Sequence, residues 1–132
     1  TFKGVSYYND SKATNIDAAV KGMEAFNQPV ILIAGGHDKG TPLETFMESV
    51  KKNVKHLILL GAAASRFETA AKKANISSII RVSDMQEAVE TGRRLSEEGD
   101  IVLLSPACSS FDMYSSFEER GNHFKKIVNE LI

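Results

Sequence analysis

The chain contains a single cysteine, Cys108, among its 132 residues. One thiol cannot form an internal disulfide, which excludes the small secreted scaffolds that depend on disulfides and favours a reducing compartment. No apolar run approaches the ~20 residues that a membrane-spanning helix needs, and no amino-terminal signal pattern is present. We therefore expect a cytoplasmic protein with no membrane partner.

The sequence also lacks an excess of charge of either sign. Sixteen basic side chains are balanced by seventeen acidic ones, so the formal net charge is -1. Without a global positive field we expect no nucleic-acid partner, and any anion must be bound by a local cluster. Because the chain has 132 residues and does not start with Met, we expect a single domain, residues 1–132, taken from a longer protein.

Several motifs of nucleotide and hydrolase chemistry are missing as well. There is no G-x-x-x-x-G-K-[ST] P-loop and no G-x-G-x-x-G fingerprint, so this chain alone is not expected to hydrolyse ATP. The G-x-S-x-G elbow is absent, which weakens Ser105 or Ser109 as a hydrolase nucleophile. Cys108 with His37 or His123 as its base is an alternative, although a lone cysteine is more often a small core residue. The histidines and the cysteine show no metal-ligand spacing.

Five apolar segments alternate with five amphipathic ones. The apolar segments are short and rich in aliphatic residues, as in strands buried in a parallel sheet, and they cover residues 5–8, 30–34, 57–60, 79–82 and 101–104. Helix starts are predicted at Thr14 or Asn15, Thr41-x-x-Glu44, Ser65-x-x-Glu68 and Ser83-x-x-Gln86. The pattern predicts an α/β, Rossmann-like three-layer fold, with a mostly parallel sheet of about five to six strands and helices on both faces.

Three of the predicted strand-to-helix loops are rich in polar groups. They supply Asp10, Lys12 and Thr14 from the first loop, Lys39 from the second, and Ser109 and Ser110 from the fifth, with Arg120 nearby. A lysine is usually a solvated surface charge, but such loops share one edge of a parallel sheet, where open α/β sheets bind ligands. Lysines, hydroxyls and helix amino-termini together favour a ligand with more than one carboxylate or phosphate. Asp10 and Thr14 could equally serve as turn or cap residues.

Three motifs together resemble the carboxyl-terminal domain of the Mur ligase family. They are Asn9-Asp10-Ser11-Lys12-Ala13-Thr14-Asn15, then Gly35-Gly36 with Lys39, and then Ser105-Pro106-Ala107-Cys108-Ser109-Ser110-Phe111-Asp112 leading to Phe117-Glu118-Glu119-Arg120-Gly121. The resemblance covers essentially the whole chain and is to the branch that adds D-glutamate to UDP-N-acetylmuramoyl-L-alanine. The branch that adds diaminopimelate carries an Asp-Asn-Pro-Arg motif, which this chain lacks.

The resemblance implies which groups hold the two carboxylates of D-glutamate: Thr14, Lys39, Ser110 and the backbone N–H of Phe117. No catalytic residue and no metal ligand is implied for this chain. In the family, a central domain carries the P-loop and the magnesium sites, and an amino-terminal domain binds the uridine nucleotide. Both of those domains are absent from this sequence.

For the nucleotide, the resemblance implies that Asp10 faces the ribose of ATP and that Lys12 lies near the phosphates or the forming bond. It implies an ADP-forming acid–amino-acid ligase of peptidoglycan synthesis, a monomer that uses ATP, Mg²⁺, D-glutamate and UDP-N-acetylmuramoyl-L-alanine. The isolated chain is then expected to be inactive. The alternative is a free-standing flavodoxin-like or receiver-like module that binds a partner or a small anion. A receiver would need clustered acidic residues at its strand ends, and only Asp10 qualifies.

Overall fold

The computed structural model describes residues 4–37, 39–110 and 113–131, in which five strands alternate with five helices. The strands are β1 (Ser6–Asn9), β2 (Val30–Ala34), β3 (Val54–Leu59), β4 (Ile79–Arg81) and β5 (Ile101–Leu104). The helices are α1 (Ile16–Glu24), α2 (Glu44–Asn53), α3 (Ala64–Lys73), α4 (Met85–Leu95) and α5 (Phe117–Leu131). Asp38, Phe111 and Asp112, which belong to the predicted loop motifs, lie outside the described residues.

All five strands run parallel in one sheet of order β1-β5-β2-β3-β4. β5 lies between β1 and β2, so that Ile101 is in register with Ser6 on one side and with Val30 on the other. Every residue of β2 and β5 is buried, which explains why both strands read as unbroken apolar runs. The predicted Rossmann-like α/β fold is confirmed.

Helices cover both faces of the sheet. On one face α1, α2 and α3 form a core in which Met23 and Phe46 pack with Leu32 of β2. On the other face α4 and α5 form a second core that includes Phe124 and Ile33. Alternate residues of each strand point to opposite faces, so one strand contributes to both cores. Within the described ranges no helix is long and apolar enough to cross a membrane.

The first two helices differ in how well their starts were predicted. α1 is capped by Asn15, one of the two predicted residues, whose Oδ1 accepts a hydrogen bond from the N–H of Ala18 at 2.9 Å. The predicted start at Thr41 is wrong, because α2 begins at Glu44 and no described side chain caps it. The Thr41 carbonyl instead accepts a hydrogen bond from the Arg66 guanidinium of α3. A contact with a neighbouring helix has overridden the local signal.

The caps of the next two helices differ from the predicted residues, by two positions at α3 and by one position at α4. α3 begins at Ala64, so Ser65 lies inside the helix, where its carbonyl accepts a hydrogen bond from Thr69 Oγ1. At α4 the cap is Asp84, whose carboxylate accepts a hydrogen bond from the N–H of Glu87 at 2.8 Å. The Glu87 carboxylate accepts one from the N–H of Ser83 at 2.7 Å. The arrangement is similar to a capping box shifted by one residue from the predicted one, except that the glutamate accepts from the residue before the cap.

Candidate functional site

The loops that follow β1, β2 and β5 are joined by backbone hydrogen bonds at the carboxyl edge of the sheet. The loop after β5 lies in the middle. Its Ala107 N–H donates to the carbonyl of Ala13 at 3.0 Å, and its Pro106 carbonyl accepts from the N–H of Gly35 at 2.9 Å. The arrangement follows from the sheet order, because β5 lies between the other two strands. The three polar loops therefore form one surface.

A second link between the loops after β2 and β5 lies further from the sheet. The N–H of His37 donates to the carbonyl of Ser109 at 2.9 Å, and the two residues form an isolated antiparallel bridge. The Ser109 Oγ is buried and has no hydrogen-bond partner among the described residues. A buried hydroxyl without a partner costs free energy, so this position in the loop is energetically unfavourable in the structure as it stands.

A small depression between the first two loops brings Thr14 and Lys39 together. Its walls also include Arg66 and the small buried residues Ala107 and Cys108. Its volume is about 30 Å³, which is room for little more than a water molecule. The depression is therefore too small to enclose a ligand of amino-acid size.

Ser110 and Phe117 lie at the other end of the loop that joins β5 to α5. Ser110 is 2% exposed, and its carbonyl accepts hydrogen bonds from the N–H groups of Met113 and Tyr114. Phe117 is the first residue of α5, where backbone N–H groups have no partner within the helix. Neither residue lines the depression that contains Thr14 and Lys39. The four predicted D-glutamate groups thus share one edge of the sheet without sharing one cavity.

Asp10 and Lys12 have different surroundings within the first loop. The Asp10 carboxylate accepts a hydrogen bond from Ser105 Oγ at 2.8 Å, and Ser105 is fully buried. The Asp10 N–H donates to the carbonyl of Leu104 at 2.7 Å. The side chain of Lys12 is exposed. The contact between Asp10 and Ser105 was missed at the sequence level, because nothing local connects residues 95 positions apart.

A second contact that the sequence did not reveal anchors the same loop to α5. The side chain of Arg120 is buried and donates hydrogen bonds to both the hydroxyl and the carbonyl oxygen of Ser11. The Ser11 hydroxyl donates in turn to the carbonyl of Phe117. The first loop is thus anchored to β5 on one side and to α5 on the other.

The residues of the alternative nucleophile interpretations differ in exposure and in hydrogen-bond partners. Ser105 is hydrogen-bonded to Asp10. Cys108 is 5% exposed, whereas His37 is exposed and His123 Nδ1 lies 2.6 Å from the Tyr114 hydroxyl. In the described part of the chain no three His, Cys, Asp or Glu side chains could hold a metal ion. With no P-loop in the sequence, these residues do not fit a site for Mg²⁺ or for the triphosphate of a nucleotide.

A larger depression, about 720 Å³ in volume, lies between α2 and α3. It is lined by Met47, Lys51, Lys73 and Ala74, among other residues of the two helices. None of the residues that the sequence predicted for the site lines it. Its size alone therefore does not make it the functional site.

A parallel α/β sheet with three linked polar loops at its carboxyl edge defines a ligand-binding α/β domain. Residues 1–108 match the family described as Mur ligase, glutamate ligase domain. The match covers most of the chain, and the chain belongs to this family. The family resemblance inferred from the three loop motifs is confirmed.

Curated relatives agree with the family assignment. The chain is 49% identical over 128 residues to the UDP-N-acetylmuramoylalanine–D-glutamate ligase of Desulfitobacterium hafniense strain Y51, covering 97% of this chain and 28% of the relative. It is 49% identical over 144 residues to the ligase of the same name from Clostridioides difficile, covering 99% of this chain and 32% of the relative. The chain therefore spans less than a third of the length of these relatives.

Solved structures agree with the fold. A domain of a UDP-N-acetylmuramate:L-alanyl-γ-D-glutamyl-diaminopimelate ligase from Haemophilus ducreyi superposes with a TM-score of 0.57 at 13% identity, covering 95% of this chain and 93% of that domain. The bifunctional folylpolyglutamate synthase/dihydrofolate synthase of Yersinia pestis, solved with AMPPNP and a Mn ion, also gives 0.57 at 14% identity, covering 86% of this chain and 27% of that protein. At these identities the likeness establishes the fold alone.

Proposed function

We propose that the chain is the D-glutamate-binding domain of an ATP-dependent ligase that adds D-glutamate to UDP-N-acetylmuramoyl-L-alanine, a cytoplasmic step of peptidoglycan precursor synthesis. The family and the names of the relatives support this proposal. The structural observation that carries it is that Thr14 and Lys39 line one depression where three loops are joined. The full-length enzyme is proposed to act as a monomer.

D-glutamate has two carboxylates, and each loses water when it binds. Charge-assisted hydrogen bonds can offset that loss. Lys39 offers a cation and Thr14 a hydroxyl from the first two loops, while Ser110 and the backbone N–H of Phe117 offer donors from the loop between β5 and α5. Together these groups would hold both carboxylates against the carboxyl edge of the sheet.

The nucleotide would lie beside the same edge. Asp10 is proposed to face the ribose of ATP, and its hydrogen bond from Ser105 would fix the orientation of the carboxylate. The exposed Lys12 would lie near the phosphates or the forming bond. Because the sequence has no P-loop and the described residues have no metal cluster, Mg²⁺ and the triphosphate would be held by a domain outside this chain.

The chemistry needs this domain for positioning and not for a covalent group. The muramoyl-alanine carboxylate would first become an acyl phosphate, with release of ADP. The D-glutamate amine would then attack its carbonyl carbon, forming the amide bond as phosphate leaves and the amine loses a proton. Holding the amine in line with the carbonyl can contribute up to about 7–11 kcal/mol, and closure of the domain would shield the acyl phosphate from water.

The test is steady-state kinetics of the full-length ligase with each substrate varied in turn. Lys39→Ala is expected to raise the KM for D-glutamate at least ~10-fold, which corresponds to about 1.4 kcal/mol. Ser110→Ala should raise it less, because a neutral hydroxyl is lost and not a charge. Lys52→Ala, which removes an exposed lysine from the last turn of α2, is the matched control and should change neither KM.

The opposite pattern would overturn the assignment of the pocket. If Lys39→Ala raised the KM for ATP and left that for D-glutamate unchanged, Lys39 would belong with the phosphates. If the full-length protein formed no amide with D-glutamate at all, the proposed function would be wrong.

A further inference from the structure

The α5 motif contains a charged residue, Arg120, to which the proposed function assigns no role. Its side chain is only 3% exposed, although arginine is almost never fully buried unless its donors are satisfied. Burying a guanidinium costs free energy, so the contacts that hold it there are expected to serve a purpose beyond packing.

Arg120 reaches across the edge of the sheet to Ser11 of the first loop. Its Nε donates to Ser11 Oγ at 2.8 Å, and its Nη2 donates to the Ser11 carbonyl oxygen, also at 2.8 Å. Ser11 is itself buried. Two donors of one planar group therefore hold a side-chain and a backbone acceptor at the same time, a geometry that a lysine ammonium does not reproduce.

The Ser11 hydroxyl also makes a hydrogen bond to the start of α5. It accepts from Arg120 and donates to the carbonyl of Phe117 at 2.7 Å, so its single hydrogen is committed. Ser11 precedes Thr14 by three positions in the first loop. One hydrogen-bond network thus joins the segment that carries Thr14 to the residue whose N–H is proposed to bind D-glutamate.

The residue after Arg120 allows the two segments to approach. A Cβ at Gly121 would lie 2.7 Å from Asn9 Nδ2 and 3.0 Å from Asn9 Oδ1, distances at which one of the groups would have to move. The same Asn9 Oδ1 accepts a hydrogen bond from the N–H of Ser11 at 3.0 Å. The loop and the helix therefore meet through two consecutive residues of α5, one that donates and one that leaves room.

We infer that Arg120 is a positioning residue, which acts through Ser11 to fix the first loop relative to the start of α5 and so sets the spacing between Thr14 and the N–H of Phe117. The inference rests on the proposed D-glutamate site. It predicts an effect on D-glutamate binding without contact between Arg120 and the substrate. ATP is proposed to meet the loop at Asp10 and Lys12. Because Asp10 is held separately by Ser105 and by the Leu104 carbonyl, the KM for ATP should be affected less.

The experiment uses the full-length ligase with the variants Arg120→Lys, Ser11→Ala and both together. Arg120→Lys should raise the KM for D-glutamate about 10-fold, with the KM for ATP changed by less than about 2-fold. Ser11→Ala keeps the carbonyl acceptor and should raise the KM for D-glutamate about 3-fold. The double variant should be little worse than Arg120→Lys alone, because both changes break one network. Arg94→Lys on α4 is the matched control and should leave both constants unchanged.

Other outcomes would overturn the inference. A purely structural role would lower the melting temperature and the active fraction while leaving the KM for D-glutamate unchanged, or would raise both KM values alike. If Arg120→Lys failed to fold, Ser11→Ala would decide, and an unchanged KM for D-glutamate in that variant would refute the positioning role. If Lys39→Ala raised the KM for D-glutamate and these variants did not, the inference would fail while the proposed function stood. If none of these variants, Lys39→Ala included, changed the KM for D-glutamate, both the inference and the proposed function would be contradicted.

Discussion

Backbone hydrogen bonds link segments at both edges of the sheet, including one from the N–H of Gly99 to the Gly4 carbonyl at 2.8 Å at the amino edge, but the side-chain contacts of the two edges differ. At the carboxyl edge, backbone hydrogen bonds link three loops and the buried Arg120 donates to Ser11. At the amino edge, a partly exposed Lys55 forms ion pairs with the buried Asp100 at 2.8 Å and with the exposed Glu97 at 3.4 Å. Ion pairs near water are weak and tolerate small movements, whereas a binding site needs fixed distances. The difference in side-chain contacts indicates that geometry is the more tightly specified at the edge proposed to bind the substrate.

The charges at the amino edge also shift two pKa values. The hydrogen bond to Asp100 raises the pKa of Lys55. Burial lowers the pKa of His56, and the neighbouring Lys55 charge lowers it further. The His56 ring is also hydrogen-bonded to Ser78, with Nδ1 2.5 Å from the hydroxyl oxygen. This edge therefore carries the pH dependence that can be attributed to individual groups.

The largest effect on the free energy of unfolding is expected when a glycine at the carboxyl edge is replaced, and a glycine at the amino edge is the comparison. A Cβ at Gly35 would lie 2.0 Å from the Leu60 carbonyl oxygen, and its φ is +117°. Gly99 also has a positive φ, +96°, but a Cβ there would meet no atom within 4 Å. Gly35→Ala should lower the free energy of unfolding by about 3 kcal/mol or more, and Gly99→Ala by about 1 to 2 kcal/mol. Equal losses in denaturant titrations would contradict the claim that the carboxyl edge is the more tightly specified.

A smaller effect is expected when the ion pair of the amino edge is broken. Asp100→Asn removes the charge that faces Lys55 but keeps an oxygen that can accept from the N–H of Glu97. The free energy of unfolding should fall by about 1 kcal/mol. Because this edge lies away from the candidate site, both KM values of the full-length ligase should be unchanged. A change in the KM for D-glutamate would show that the two edges are coupled.

The smallest predicted effect is a pH dependence at the same edge. The pKa of His56 is lowered in the folded state, so below its ordinary value of about 6.5 the unfolded chain binds a proton that the folded chain resists. Stability should therefore fall as the pH decreases through that value. His56→Gln should reduce the loss between pH 7 and pH 5 by roughly half a kcal/mol or less, measured by urea titration at each pH. An equal or larger loss in the variant would contradict the assignment.

Strands that are buried along their whole length were predicted best. The predicted segments 30–34 and 101–104 coincide with β2 and β5. β3 was predicted from residue 57 but begins at Val54, because Lys55 and His56 interrupt the apolar run. His56 nevertheless pairs with Ile31, and Lys55 lies at a shift in the register between β2 and β3. At the helix starts, the capping pattern fits Thr41, Ser65 and Ser83, but none of the three is a cap in the structure. The pattern depends on residue types and does not determine at which residue a helix begins.

Some features of the candidate site were likewise predicted from the sequence, and others were not. The placement of Thr14 and Lys39 at one edge followed from the alternation of strands and helices, since loops after parallel strands share an edge. The contacts of Asp10 with Ser105 and of Ser11 with Arg120 did not, because these partners are separated by 95 and 109 positions. No spacing rule spans such distances.

By itself the sequence determined the five alternating units, the buried strands and a cap for α1 at Thr14 or Asn15, because hydrophobic period and capping are decided by residues within a few positions of one another. Only the tertiary structure decided the order β1-β5-β2-β3-β4, which brings the loops after β1 and β2 to either side of the loop after β5. It also decided that Arg120 is buried against Ser11. Strand neighbours and long-range donor–acceptor pairs depend on how whole layers pack, and that packing minimises a free energy to which the entire chain contributes.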